Sequence, residues 1–363
     1  MNIILFGGGF DPFHLGHLNM AKFALKRFSG RVIIIPARIS VWKRDSLNSD
    51  DKIELIKLAI QNEKDMEISL FEINNDKPIT YSIDTVRHFK NLYPNDKLYL
   101  LIGSDQVNEF HRWKDAFEIS KLCQIIYFPR PEFKIKDDNI KKFNIQELQD
   151  VVELDASSTD IRSLKRLPLT KEEIYYIEDH NLYYMNKVKS FLDEHRFNHS
   201  KQVARLAYEI ALANNLADPD KYYIAGLLHD IGKNVSKEES YDIIDKYYKE
   251  YKDMIPALIH QFIGEYLAIH EFDITDKEIL KAIKYHATGN ENMNNIGMVV
   301  YAADKIEPTR GFDSSELIIA MKKDYKTGFI EVLRANLEYF KVKHIDYNNI
   351  LTYKCLSYYL GIK

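Results

Sequence analysis

The chain has 363 residues, a length that one hydrophobic core rarely fills and that two domains fill comfortably. Its apolar fraction of 45% and charged fraction of 29% are those of an ordinary globular protein. The net charge of −4 favours neither wrapping of a nucleic-acid backbone nor docking on an anionic membrane, so we expect neither partner. The two cysteines are far apart, and no segment reads as a signal peptide or a bilayer span, so we expect a reducing, cytoplasmic setting.

In the first half of the chain, short apolar runs alternate with amphipathic segments. Four runs predict strands because they are continuously apolar, and they cover residues 3–6, 32–35, 98–102 and 125–128. Three segments predict helices because apolar residues recur every three or four positions, and they cover residues 14–28, 51–63 and 82–93. This alternation is typical of right-handed βαβ crossovers, so we predict an α/β fold with a Rossmann-like, doubly wound parallel sheet.

In the second half of the chain, the apolar residues show only the periodicity of helices. From about residue 186 onward, apolar residues recur at helical spacing, as Val203, Leu206 and Ile210 do, and no run reads as a strand. We therefore predict a multidomain chain, with one domain over residues 1–184 and an all-α helical bundle over residues 185–363.

The strongest local pattern is GGGFDPFHLGH at residues 7–17, which follows a predicted strand and opens a predicted helix. Glycines let the backbone approach a phosphate closely, and a helix N-terminus offers N–H groups and a positive dipole end. His14 and His17 are three residues apart, so they share a face and can both point at one phosphoryl group. A glycine turn beside two unrelated histidines is the alternative, but the HxGH spacing after a strand favours nucleotide chemistry.

Over residues 1–184 the chain resembles the nucleotidyltransferases of the HxGH class, and among them the bacterial nicotinate-nucleotide adenylyltransferases. The matching segments are residues 7–17, YSIDT at 81–85, IGSD at 102–105 followed by Trp113, SSTDIR at 157–162, and the closing segment 169–183. Two segments depart from that pattern. Gly9 stands where the family often has Thr or Ser, and VWK at 41–43 replaces a run containing proline and histidine.

The resemblance implies attack by the phosphate of nicotinate mononucleotide on the α-phosphorus of ATP, giving deamido-NAD and pyrophosphate, with Mg²⁺ carried on the ATP phosphates. It implies catalytic roles for His14 and His17. The implied ATP- and substrate-binding residues are Gly7, Gly8, Gly9, Phe10, Asp11, Lys43, Thr85, Gly103, Asp105, Trp113, Ser157, Ser158, Thr159 and Arg162. Nicotinamide mononucleotide and phosphopantetheine, which related enzymes use, stay open as alternative substrates.

In the second half, the adjacent His229 and Asp230 close an apolar predicted helix, where both side chains can reach one metal ion. Further candidate ligands lie beside apolar neighbours on other predicted helices, as metal sites in helical bundles require: His199, His260, His286 and Asp304. Imidazole and carboxylate ligands without thiolate suit iron, manganese or another borderline-to-hard divalent ion.

This half resembles the HD phosphohydrolase superfamily, and more closely its YqeK-like branch, which cleaves diadenosine tetraphosphate symmetrically. The matching segments are RFNH at 196–199, GLLHD at 226–230, YHATG at 285–289 and ADKIEP at 303–308. Gln261 and Phe262 depart from the alanine and proline that usually follow the ligand corresponding to His260.

The HD resemblance implies two divalent metal ions, of iron or manganese. One ion would be held by His199, His229, Asp230 and Asp304, and the other by Asp230, His260 and His286, with Asp230 bridging. The resemblance also implies catalytic roles for Asp230 and Lys233. Lys233 and Arg310 would contact the substrate phosphates, and the alternative is that both are ordinary surface charges.

Three hypotheses follow for the whole chain. The first is two active enzymes, and the second is one adenylyltransferase with a regulatory HD module. The third is a nucleic-acid-binding protein, which the sequence disfavours because it has no basic stripe. Within the first hypothesis, the main alternative is an HD enzyme that acts on another nucleotide, such as a guanosine polyphosphate or a cyclic dinucleotide. Because every expected metal ligand is present, we favour the first.

Overall fold

The computed structural model describes residues 1–38, 47–75, 79–129, 134–152, 154–345 and 349–362. Contacts between Cα atoms divide the chain into two compact units. The first unit contains Met1–Ile161 and Leu167–Tyr176, and the second contains Arg162–Arg166 and Ile177–Lys363. The domain boundary between residues 184 and 185 stays a prediction.

Among the described residues, the first unit holds one sheet of six parallel strands. The strands are β1 (Asn2–Gly8), β2 (Arg31–Pro36), β3 (Met66–Ile68), β4 (Lys97–Gly103), β5 (Gln124–Phe128) and β6 (Gln146–Glu147). Their order across the sheet is β3-β2-β1-β4-β5-β6, so the predicted doubly wound α/β fold is confirmed. The sequence predicted β1, β2, β4 and β5 and missed the two edge strands.

Eight α-helices precede residue 180 in the described part of the chain. They are α1 (Leu15–Phe28), α2 (Ser49–Ile60), α3 (Ser82–Leu92), α4 (Ser104–Val107), α5 (Ala116–Leu122), α6 (Asp137–Phe143), α7 (Ser158–Arg162) and α8 (Lys171–Asp179).

Both faces of the sheet are buried, which explains why its central strands are continuously apolar. Along β1, Ile3 and Leu5 pack into the core on one face, and Ile4 and Phe6 pack into the core on the other. Strand β1 pairs with β2 on one side and with β4 on the other, so the strand order reverses at this point. Ligands of doubly wound sheets bind where the order reverses, beyond the carboxyl ends of the strands.

The second unit contains helices and no strand among its described residues, which confirms the predicted all-α class. Its further helices are α9 (Tyr184–Ser190), α10 (Glu194–Ala213), α11 (Pro219–Leu228), α12 (Lys237–Tyr247), α13 (His260–His270), α14 (Lys277–Tyr285), α15 (Asn295–Ile306), α16 (Ser315–Lys323), α17 (Tyr325–Val342) and α18 (Ile350–Leu360). None of the helices described in either unit is both long and apolar enough to cross a membrane.

Helices α10 and α11 pack closely because Gly226 has no side chain. A Cβ atom at Gly226 would lie 2.8 Å from the Cα atom of Ala204, closer than packed atoms approach. This approach brings His199 on α10 near His229, which directly follows α11. The centroids of the two imidazole rings are 5.3 Å apart.

Candidate active sites

In the first unit, a cavity of about 730 Å³ opens where β1 and β4 end. It lies at the reversal of strand order, where a nucleotide site is expected. Of the predicted ligand-binding and catalytic residues, those lining it are Gly7, Gly8, Gly9, Phe10, His14, His17, Gly103, Asp105, Trp113, Ser157, Ser158 and Thr159.

The two histidines of the HxGH pattern stand together at the start of α1. His14 is the N-cap residue, and its Nδ1 atom accepts a hydrogen bond from the His17 backbone N–H at 3.3 Å. The two imidazoles stack with their centroids 3.7 Å apart. Phe10 and Phe13 pack against the His17 ring, with centroids 5.1 and 5.3 Å away. Both rings therefore have fixed orientations beside the first N–H groups of α1, an arrangement suited to phosphate.

A second segment, Ser157 to Thr159, closes the cavity from another side. The Ser157 hydroxyl oxygen accepts from the backbone N–H of Thr159 at 3.2 Å and of Asp160 at 3.4 Å. The Ser158 hydroxyl donates to the Pro12 carbonyl at 3.1 Å. The bond from Ser158 to Pro12 holds this segment against the GGGFDPFHLGH segment at residues 7–17, although the two residues are 146 positions apart in the sequence.

Thr85 and Asp11 are buried and are not among the residues that line the cavity. The Thr85 hydroxyl instead donates to the Glu72 carboxylate at 2.7 Å, and Glu72 does line it. Burial raises the pKa of Glu72, against the lowering effect of the Thr85 hydrogen bond. Sequence reasoning missed both Glu72 and Arg38, another residue of the cavity wall.

Two further predicted residues also have no assigned place in this cavity. Lys43 lies outside the described residues. Arg162 is half-buried at the end of α7 and belongs to the second unit by its contacts. Their roles toward ATP and the mononucleotide stay predictions.

In the second unit, all six predicted metal ligands come together and are buried. They come from five helices or the residues that directly follow them: His199, His229, Asp230, His260, His286 and Asp304. We call these six residues the metal-ligand cluster.

Two carboxylates organise the metal-ligand cluster. Asp230 Oδ1 lies 3.3 Å from Nε2 of both His260 and His286. Asp304 Oδ1 lies 3.1 Å from His199 Nε2 and 3.6 Å from His229 Nε2. Asp230 Oδ1 is also 3.8 Å from His229 Nε2, so Asp230 reaches ligand atoms of both groups, as a bridging ligand must.

Backbone contacts define which nitrogen of three histidines carries the proton. The Nδ1 atoms of His229, His260 and His286 lie 2.6, 2.9 and 2.8 Å from backbone carbonyl oxygens. We therefore assign the proton to Nδ1 in each, so that the Nε2 lone pair could bind a metal ion.

That assignment makes the cluster fit divalent cations. His260 Nε2 and His286 Nε2 face each other at 3.1 Å, and two lone pairs at this distance repel unless a cation or proton lies between them. His229 Nε2 is buried without a hydrogen-bond partner among the described residues. Burial lowers the pKa of His286 to about 3, so this imidazole is neutral at pH 7, the form that binds metal.

His199 is oriented by a carboxylate that sequence reasoning missed. Its Nδ1 atom lies 3.0 Å from Oε1 of Glu307, which is itself buried and accepts from the Thr309 backbone N–H at 2.6 Å. Although burial opposes protonation, Asp304 and Glu307 raise the pKa of His199 to about 8. The available signal was the spacing, because Glu307 follows Asp304 by three residues, a separation that places two side chains on one side of a helix, and Glu307 is the residue that directly follows α15.

We expect Glu307→Gln to lower the metal affinity of the cluster by about tenfold or more, because it removes the charge that orients His199 and makes it a stronger ligand. Metal competition with a chelator measures this affinity. Glu316→Gln, an exposed change on α16, is the matched control. Unchanged affinity in Glu307→Gln would show that Glu307 does not support a ligand.

Four cationic side chains surround the cluster. Arg196 Nη1 and Lys233 Nζ lie 3.7 and 4.0 Å from the Asp230 carboxylate. Lys305 Nζ lies 2.6 Å from Asp304 Oδ2, and Arg310 contacts the other oxygen of Asp304. Lys233 and Arg310 thus lie beside the cluster, and their contact with substrate phosphates stays a prediction. Arg196 and Lys305 were not predicted as site residues. Cations near both carboxylates suit a substrate with several phosphates.

Comparison with known proteins assigns the two parts of the chain to two different families. Residues 5–164 match the family described as Cytidylyltransferase-like, and residues 196–309 match the HD domain. A Mycoplasma genitalium protein called probable nicotinate-nucleotide adenylyltransferase/Ap4A hydrolase is 30% identical over 92% of this chain and 97% of its own length. Its Mycoplasma pneumoniae counterpart is 29% identical over 90% and 96%.

A relative with a single function aligns with about half of the chain. A probable nicotinate-nucleotide adenylyltransferase from Methylacidiphilum infernorum is 34% identical over 51% of this chain and 93% of its own length. The chain therefore belongs to the family of two-domain proteins that join a cytidylyltransferase-like domain to an HD domain.

Proposed function

We propose that the chain is a bifunctional nucleotide enzyme. Its first half transfers the adenylyl group of ATP to nicotinate mononucleotide, and its second half hydrolyses diadenosine tetraphosphate to two ADP in a metal-dependent reaction. The observation that carries the proposal is that each half brings its own polar groups together, in the 730 Å³ cavity and in the metal-ligand cluster. The names of the Mycoplasma relatives support the same pair of substrates.

Adenylyl transfer needs positioning and charge stabilisation rather than a covalent enzyme intermediate. An oxygen of the mononucleotide phosphate forms a bond to the α-phosphorus of ATP, the bond from that phosphorus to the bridging oxygen breaks, and pyrophosphate leaves. His14, His17 and the first N–H groups of α1 stabilise the charge on the phosphates. Mg²⁺ bound to ATP would neutralise further negative charge.

Nicotinate mononucleotide should be used with a kcat/KM at least about tenfold above that of the nicotinamide form. Ser82, the first residue of α3, lines the cavity, and the positive end of that helix dipole favours a carboxylate over an amide. Steady-state kinetics with the two mononucleotides measures the ratio. Trp113 lines the same cavity, and we propose that its ring stacks on the pyridine ring of either mononucleotide. As a control, Trp113→Ala should therefore weaken both alike, because stacking does not depend on the charge of the carboxylate. Equal or reversed preference would contradict the proposed substrate.

For the hydrolase, we propose that the polyphosphate lies across the metal-ligand cluster between the cations beside Asp230 and those beside Asp304. Bound divalent ions would supply a hydroxide nucleophile and neutralise the phosphates. Water adds to one of the two central phosphorus atoms, the bond to the oxygen between the central phosphates breaks, and both products are ADP. Lys233 and Arg310 hold phosphate oxygens during this step.

The imidazole and carboxylate ligands support iron or manganese as the native metal. A regulatory HD module would not need six converging ligands, so the cluster favours catalysis over that alternative. Assays of the purified, metal-loaded chain with diadenosine tetraphosphate, a guanosine polyphosphate and a cyclic dinucleotide test the substrate. The highest kcat/KM should belong to diadenosine tetraphosphate, and a protein that binds metal but hydrolyses none of the three would support the regulatory hypothesis.

A further inference from the structure

A separate pocket of about 440 Å³ opens in the second unit, beside the metal-ligand cluster. Lys305 and Arg310 line this pocket, and both also contact the carboxylate of Asp304. Arg310 is anchored by a second bond, since its Nε atom donates to the Asp304 carbonyl at 2.7 Å. Two cations therefore line the pocket and also contact a carboxylate of the metal-ligand cluster.

Apolar groups make up much of the remaining wall. Phe312 and Tyr339 line the pocket although 52% and 53% of their respective surfaces are exposed. Tyr339 lies on α17 with Val332 and Asn336, at spacings of four and three residues that place all three on one helix face. Large exposed rings next to charged groups are a typical ligand-binding surface.

The chemistry of the wall indicates which ligand fits. An anionic group suits Lys305 and Arg310, and a flat, largely apolar group suits the rings of Phe312 and Tyr339. Asn336, whose Nδ2 atom donates to the Tyr301 hydroxyl at 3.0 Å, brings to the wall an amide that can pair with the edge of a base. A nucleoside phosphate combines these three features, and the pocket volume is in the range of small-molecule sites.

We propose that this pocket is a nucleoside subsite of the hydrolase. The base of the substrate stacks on Phe312 and Tyr339, and its phosphates pass Lys305 and Arg310 to the metal-ligand cluster. This inference rests on the proposed hydrolase function and deepens it, because it makes the enzyme selective for nucleoside polyphosphates over inorganic polyphosphates.

Phe312→Ala in the full chain should raise the KM for diadenosine tetraphosphate about tenfold, the loss expected when one stacking ring is removed, with kcat little changed. Inhibition by inorganic tripolyphosphate should stay at the wild-type level, because that anion has no base. Phe312→Tyr should keep the wild-type KM, and Tyr353→Ala, an exposed ring on α18, is the matched control. Wild-type KM values in both Phe312→Ala and Tyr339→Ala would overturn the subsite, and so would equally weakened tripolyphosphate inhibition.

Hydrogen exchange of the full chain with ADP tests the subsite without relying on turnover. ADP should slow amide exchange in peptides covering residues 312–342 of the wild type, and Phe312→Ala should lose this protection. Because exchange is read peptide by peptide, ADP bound at the cavity of the first unit does not interfere. Protection without any hydrolysis would leave the subsite standing and refute the proposed function. Hydrolysis without protection would refute the subsite alone.

Discussion

Asp230→Asn should reduce hydrolysis of diadenosine tetraphosphate by more than about 100-fold, beyond the loss typical of a group that only orients a metal ligand. Asp230 Oδ1 lies within 4 Å of the Nε2 atoms of His229, His260 and His286, so one carboxylate reaches ligands of both proposed ions. Although burial opposes ionisation, these histidines hold the pKa of Asp230 well below its usual range. An amide keeps the shape but loses the charge, so both ions should bind more weakly.

Metal analysis alongside kinetics separates this account from a general loss of structure. Asp230→Asn should retain less of both ions, whereas Asp245→Asn, an exposed change on α12, should retain both ions and full turnover. His260→Ala should mainly weaken the ion that His260 shares with His286. An Asp230→Asn protein with wild-type metal content and turnover would rule out the bridging role.

His17→Ala should slow adenylyl transfer by on the order of 100-fold or more, the usual cost of removing one group that stabilises charge in the transition state. The His17 ring is held by His14, Phe10 and Phe13, so in the wild type it reaches the phosphates without reorganisation. Hydrolysis of diadenosine tetraphosphate should be unchanged, because all six residues of the metal-ligand cluster belong to the second unit.

The matched control is His88→Ala. His88 is exposed on α3 and stacks on Phe71 rather than lining the cavity. Transfer should be measured as pyrophosphate release with saturating ATP and nicotinate mononucleotide. If His17→Ala transfers at the wild-type rate, or if His88→Ala loses as much activity as His17→Ala, the role of the HxGH pattern is wrong.

The fold could be predicted where burial leaves a continuous apolar pattern. Strands β1, β2, β4 and β5 are enclosed on both faces, and their runs were recognised within two residues at each end. Strand β3 has three residues, and β6 has two exposed ones, so neither contains enough residues to establish a period. The edges of the sheet are therefore visible only once the chain is folded.

The candidate sites divide in a similar way. The metal-ligand cluster was proposed from ligand types and family motifs, and the structure brings together groups as distant as His199 and Asp304, 105 residues apart. The charged residues that contact the metal-ligand cluster were missed, namely Glu307, Arg196 and Lys305. In the sequence they look like ordinary surface charges, because only the packing of the helices brings them to the cluster. Thr85 was expected to bind ATP or substrate, and the structure adds a hydrogen bond from its hydroxyl to Glu72 that the sequence did not indicate. Periodicity does not reveal such pairings between side chains.

Product analysis of the unaltered chain tests the central claim most directly, since two separate chemistries in one protein should give two separate product sets. We predict that ATP and nicotinate mononucleotide yield deamido-NAD and pyrophosphate. In a separate reaction of the chain loaded with Fe²⁺ or Mn²⁺, diadenosine tetraphosphate should yield ADP as the only nucleotide product on chromatography. ATP and AMP in equal amounts would contradict attack at a central phosphate, and failure of either reaction would contradict the bifunctional enzyme itself.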